Sequence, residues 1–265
     1  MFCGFRDGKG ISRIGYLDLD AKNPARILHI SEQPVLDIGI PGAFDDNGVV
    51  PSAVVRHHDK IYLYYAGYNI QKNVRFSVLG GLAISSDGGS TFQRAKQTPV
   101  FERTEHELLF RVPHTVLIEN NNWTFWYGGG SNFVQANDYT YPSYDIRMIG
   151  SKDGINLEGQ GRVILTTSNN EYRIARPYVI KEDNSYKMYY CVATIEKGYR
   201  LGYAESKNGI NWERKDDLMN IDVSETGWDS EMVGYPSFIA NNYGKYLFYN
   251  GNNYGREGFG YAEWV

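Results

Sequence analysis

A hairpin phrase that occurs four times constrains this chain more than any other feature. Its last copy is WDSEMVGYPSFIANNYGKYLFYN, residues 228–250, in which Asp229 and Glu231 precede Tyr235-Pro236-Ser237, a polar turn and an aromatic strand. The first copy runs from Val49-Val50-Pro51-Ser52 through His57–Lys60 to Ile61-Tyr62-Leu63-Tyr64-Tyr65. The second runs from Arg111-Val112-Pro113-His114 through Glu119–Asn122 to Trp123-Thr124-Phe125-Trp126-Tyr127, and the third from Arg176-Pro177-Tyr178 through Lys181–Ser185 to Tyr186-Lys187-Met188-Tyr189-Tyr190. Aligned on their prolines, the copies lie 62, 64 and 59 residues apart. In each, a short apolar strand meets one that alternates large aromatics with other residues, the period of a half-buried strand. Proline is tolerated near the start of a strand, where its missing N–H falls at the end of the ladder.

A second phrase alternates with the first. Gly81–Gly89, Met148–Gly154 and Gly202–Gly209 each read as a third strand and a tight Asp/Asn-Gly turn. Phe92, Leu157 and Trp212 then mark a fourth strand. Shortened versions stand at Ile14–Asp18, with a strand near residues 25–30 after it, and at Gly258–Ala262. Repetition at about 60 residues with no helical period predicts an all-β chain, a five-bladed β-propeller forming a single domain over 1–265. The first blade is expected to be incomplete at its N-terminus, holding two outer strands and the tail of an inner hairpin at Phe2–Arg6. Self-association that completes this blade is the corresponding partner expectation.

Composition agrees with a strand-rich fold: 22 Tyr, 12 Phe and 5 Trp suit pleated strands, and 29 Gly supply turns. A net charge of −4 without long charged runs gives no sign of a nucleic-acid or membrane surface. Cys3 and Cys191 stand far apart without metal-type spacing, so they read as free thiols. With no signal peptide visible, a cytoplasmic location is the expectation. No metal motif, P-loop or strand-coupled GxGxxG occurs, and neither metal nor cofactor is expected.

The phrases GAFDDNGVVPS, IYLYYAGY, IARPYVI, GYAESKNGINWERKDD, WDSEMVGYPS and YNGNNYGREGFGYA resemble uncharacterised glycosidase-like proteins of bacterial polysaccharide loci. Their fold is similar to the five-bladed propellers of glycoside hydrolase families 43, 32, 68 and 130. In families 43 and 32 the catalytic acids sit on the innermost strands of the first three blades. Here Asp45-Asp46 precedes Pro51 without the Arg-Asp-Pro of family 32, and Arg111-Val112-Pro113 has no Glu-Cys. No catalytic residue is therefore carried over from those families. Ser85–Phe92 resembles the Asp-box of sialidases, which implies a structural role for Asp87, Asp153 and Asn208.

Residues flanking each repeat proline are polar and differ between copies, and in a propeller such positions converge at one channel mouth. Asp46 and Glu231 are the expected catalytic pair, since glycoside hydrolysis needs two carboxyls about the scissile bond. Glu231 would act as acid if Met232 and Trp228 raise its pKa, and Asp46 as base or nucleophile. The competing reading makes these acids a polar turn and a solvated loop. Arg111 and Arg176 either pair internally with Asp46 or Glu231 or hold an anionic sugar. His114 reads as a proton shuttle or a hydrogen-bonded structural histidine. Asp229, Trp228 and Tyr235 complete the expected substrate-binding set, the aromatics by stacking on sugar faces. The expected partner is an oligosaccharide or polysaccharide. Function divides between a glycoside hydrolase- or phosphorylase-like enzyme and a non-catalytic module for glycan binding or polysaccharide assembly.

Overall fold

The computed structural model describes residues 1–136 and 139–264, and nearly every regular element in it is a strand. Hairpins follow one another in chain order. The first meander joins β1 (Phe2–Arg6), β2 (Ser12–Leu19) and β3 (Ile27–Ile30), and the second joins β4 (Val49–His57), β5 (Lys60–Ile70), β6 (Phe76–Ser85) and β7 (Gln93–Arg94). The third contains β8 (Phe110–Glu119), β9 (Asn122–Ala136), β10 (Tyr139–Ser151) and β11 (Arg162–Leu165). The fourth contains β12 (Glu171–Glu182), β13 (Ser185–Thr194), β14 (Arg200–Ser206) and β15 (Glu213–Arg214). The fifth contains β16 (Gly234–Asn241), β17 (Gly244–Asn250) and β18 (Phe259–Glu263), with the short helix α1 (Asn252–Gly255) between the last two. In the third meander the fourth strand is Arg162–Leu165 rather than a segment beginning at Leu157, which instead packs on the core.

The chain divides into two compact units, residues 1–131 with 149–161 and residues 132–148 with 162–265. In the first unit, Tyr64, Phe101, Phe125 and Tyr127 form one aromatic cluster, and Ile14, Val49, Leu63 and Tyr65 belong to another. In the second unit, Tyr189, Leu201, Val233 and Leu247 form a core, while Tyr172, Cys191, Tyr199 and Met232 form another. Both cysteines are free thiols, and burial pushes the Cys191 thiol up to about 12.

Each repeated first hairpin carries a β-bulge at its proline, and the bulges set a register that prolines alone do not. Opposite Tyr65 and Tyr127 the extra residues are Ser52 and His114, each just after its proline. In the other two copies the two-residue bulges are Arg176-Pro177 and Tyr235-Pro236. Arg176 and Tyr235 therefore occupy the places that Pro51 and Pro113 hold in the earlier hairpins. Alignment on the prolines displaces the last two copies by one residue, because a bulge needs two residues against one and either can be proline.

The expected turn motif is structural. Asp87 accepts from the Ser85 and Thr91 hydroxyls at 2.7 and 2.6 Å, and Asp153 accepts the backbone N–H groups of Ile155 and Asn156. Asn208 performs the same task for Ile210 and Asn211.

Candidate functional site

One tyrosine recurs at the same place in all four second strands, and it explains most of the acids near the prolines. Tyr65 donates its hydroxyl to Asp45 at 3.0 Å, Tyr127 to Glu107 at 2.6 Å, and Tyr249 to Asp229 at 3.1 Å. Tyr190 bonds Asp216 in the same way. An arginine joins three of these pairs: Arg94 lies 2.8 Å from Asp45, Arg111 Nε 3.2 Å from Glu107, and Arg214 2.6 Å from Asp216. Desolvation and the neighbouring acid push every one of these phenols up, Tyr249 to about 12. Glycine on the third strand makes room for two of the rings. A Cβ at Gly81 would meet the Tyr65 ring at 2.2 Å, and one at Gly202 would meet Tyr190 at 2.3 Å.

Asp229 and Arg111 accordingly belong to this framework. Asp229 is buried under Tyr249, with Trp228 stacked on the same tyrosine at 5.5 Å. The Trp228 ring also lies against Gly251 and Gly260, where a Cβ would come within 2.4 and 2.7 Å of it, so the ring is packed against the backbone of the last meander. Arg111 is buried, donating to the carbonyls of Glu102 and Gly159 at 2.7 and 2.6 Å besides its ion contact with Glu107. Its carboxylate partner is Glu107, not Asp46 or Glu231.

Asp46 and Glu231 are placed differently. The half-buried Asp46 carboxylate accepts from the Gly42 N–H and the Asn69 amide, both at 2.9 Å. Glu231 is exposed, and its backbone is anchored by Asn252 Oδ1 at 2.8 Å and by the Arg200 guanidinium at 2.8 Å. Among the described residues neither carboxylate stands in an ion pair.

The bulge residues of successive hairpins touch. In the first unit the Ser52 hydroxyl lies 3.0 Å from His114 Nδ1 and also meets the Pro113 carbonyl. In the second unit the Arg176 guanidinium lies 4.0 Å from the centre of the Tyr235 ring. Neither pairing is visible from the spacing of the prolines. Nor is the place of Arg173, a residue of the same strand whose guanidinium is buried 4.1 Å from the Tyr199 ring. Among the described residues no group of three or more His, Cys, Asp or Glu is arranged to hold a metal ion. No helix in the structure is long and apolar enough to cross a membrane.

The model of the glycosyl hydrolases family 32 N-terminal domain matches residues 33–165, half of the chain. The chain belongs to the glycosyl hydrolase family 32 N-terminal domain family. The match takes in Asp46, Arg111 and His114, whereas Arg173, Arg176 and Glu231 lie beyond it. Uncharacterized protein Rv1502 of Mycobacterium tuberculosis is 34% identical over 258 residues, covering 97% of this chain and 85% of that protein. Among solved structures, a glycoside hydrolase superposes with a TM-score of 0.71 at 17% identity, over 99% of this chain and 85% of that one. The family 32 β-fructofuranosidase BmSUC1 of Bombyx mori gives 0.60 at 16% identity, over 94% of this chain and 51% of that one. The fold is that of the β-propeller glycosidases, and family membership makes this family 32 N-terminal domain a carbohydrate-active protein with a glycoside hydrolase-like fold.

Proposed function

We propose that this protein is a glycoside hydrolase-like enzyme acting on a bacterial glycan, with Asp46 in the first unit and Glu231 in the second each a candidate for a working carboxyl. One observation carries the choice of residues. Asp45, Glu107 and Asp229 are each committed to a recurring tyrosine, whereas Asp46 and Glu231 carry no such tyrosine and no basic partner in the described residues. A carboxylate tied to a buried phenol has little freedom to move protons for a substrate. A half-buried acid held by one N–H and one amide is oriented yet still carries lone pairs toward an incoming group. Glycoside hydrolysis needs one carboxyl to protonate the leaving oxygen and another to attack the anomeric carbon or deprotonate the attacking water, and each of these two acids is tested separately for such a role. Arg173 and Arg176 make an anionic glycan the favoured substrate class.

A panel of neutral and acidic oligosaccharides incubated with wild type, Asp46→Asn and Glu231→Gln, with products read by mass spectrometry, tests this reading. Turnover by wild type and its loss in both variants is the expected result. Glycan retention by all three proteins without any product would instead favour the binding-module reading.

A further inference from the structure

Buried charges are costly unless they are paired, and most buried arginines here obey that rule. Arg111 has Glu107 and Arg147 has Asp145 at 2.6 Å, and the half-buried Arg94 has Asp45. Arg173 is the exception. The residue is 4% exposed, its Nε has no hydrogen-bond partner, and no carboxylate pairs with it among the described residues. Its surroundings are phenol rings instead. The guanidinium carbon lies 4.1 Å from the Tyr199 ring centre and 6.0 Å from that of Tyr254, whose hydroxyl meets Nη2 at 3.3 Å. Ring faces stabilise such a cation by about 0.5–2 kcal/mol each but give Nε nothing to donate to.

A second cation shares the cluster. Three residues along β12, Arg176 lies over Tyr235, and Tyr235 is 5.8 Å from Tyr199 and 6.3 Å from Tyr254 between ring centres. Two guanidinium groups around one tyrosine cluster, one of them with an unused buried donor, suit a bound oxyanion. Tyr254 is the outermost ring, 41% exposed, and marks the side from which a ligand arrives.

We propose that Arg173 and Arg176 form the subsite that recognises the carboxylate of an acidic sugar, a uronic acid unit of the glycan. The assignment rests on the carbohydrate-active reading above and gives it a substrate class. A planar carboxylate lying edge-on to Arg173 takes the free Nε donor and neutralises the buried charge, while the sugar ring lies on the side of the exposed Tyr254.

Calorimetric titration of the wild-type protein with galacturonic and glucuronic acids, with galactose and glucose, and with glucose 6-phosphate tests the proposal. The uronic acids should bind at least about tenfold more tightly than their neutral parents, a preference that weakens with salt. Arg173→Met and Arg176→Gln should each abolish that preference. Equal affinity for acidic and neutral sugars, no measurable binding of the acids, or tighter binding of the phosphate overturns the proposal. Should Arg173→Met fail to fold by circular dichroism, the wild-type series and Arg176→Gln decide. Turnover is measured separately, so uronate binding without any hydrolysis would sink the enzyme reading and leave the subsite standing.

Discussion

Arg176 and Tyr235 occupy the same bulge position in successive hairpins of the second unit, and the guanidinium of one lies 4.0 Å over the ring of the other. Both have left-handed backbones, with φ of +56° and +60°, a conformation that glycine adopts without steric cost. Keeping a large side chain at such a position costs about 1–3 kcal/mol and is characteristic of functional sites. Arg176→Gly would relieve that strain while losing the cation–π contact, worth about 0.5–2 kcal/mol. The two changes oppose one another, so the melting temperature should move little while glycan binding falls by about tenfold or more. A large loss of stability with binding intact would show the pair to be architectural.

The framework tyrosines should behave in the opposite way. Tyr127→Phe removes the donor to the fully buried Glu107 and the acceptor for the Gly161 N–H. Urea unfolding should show a loss of about 1–3 kcal/mol for each buried group left unsatisfied. Glu107→Ala, which leaves Arg111 buried and unpaired, should cost more, about 3–5 kcal/mol. A stable Glu107→Ala protein with selectively lost activity would contradict the framework assignment.

Asp229 and Glu231 stand two residues apart and should separate cleanly by mutation. Glu231 is exposed, so Glu231→Gln should leave the unfolding midpoint unchanged and lower turnover by about 10²–10⁴. Asp229→Ala should instead destabilise the fold by about 1–3 kcal/mol, because the Tyr249 hydroxyl loses its acceptor. Thermal melts and steady-state rates on the two variants distinguish the roles.

Acid stability should reveal the turn motif. Hydrogen bonds from the Asn156 backbone, offset in part by desolvation, hold the Asp153 carboxyl down to about 2, below its ordinary 3.8. A depressed folded pKa contributes stability that is complete above about pH 4 and disappears as the pH falls toward about 2. The group is largely solvent-screened, so the contribution should be at most about 1 kcal/mol. Asp153→Asn should fold, since Asn208 fills the same role in the following copy, and its melting temperature should fall less steeply between about pH 4 and 2. An unchanged pH profile would place the acid sensitivity elsewhere.

The hairpin repeats were legible because strand periodicity and turn chemistry are local. The turn at Glu119–Asn122 closes on Asn120 and Asn121, both at positive φ, as a two-residue hairpin turn requires. Asp87, Asp153 and Asn208 were legible for the same reason, since each bonds within its own turn.

Side-chain partners drawn from distant segments were not legible. Asp45 and Asp46 are neighbours with no sequence signal to separate them, yet one meets Tyr65 and Arg94 while the other meets Gly42 and Asn69. Arg111 found its acid four residues upstream, and Arg173 found phenol rings in place of one. The sequence by itself determined the all-β hairpin repeat, because alternation and turn residues act over a few positions. Tertiary structure alone decided which polar residues are framework and which stay available. That depends on where each bulge turns its side chain and on what lies opposite, since burial leaves a charge unpaired in one place and satisfied in another.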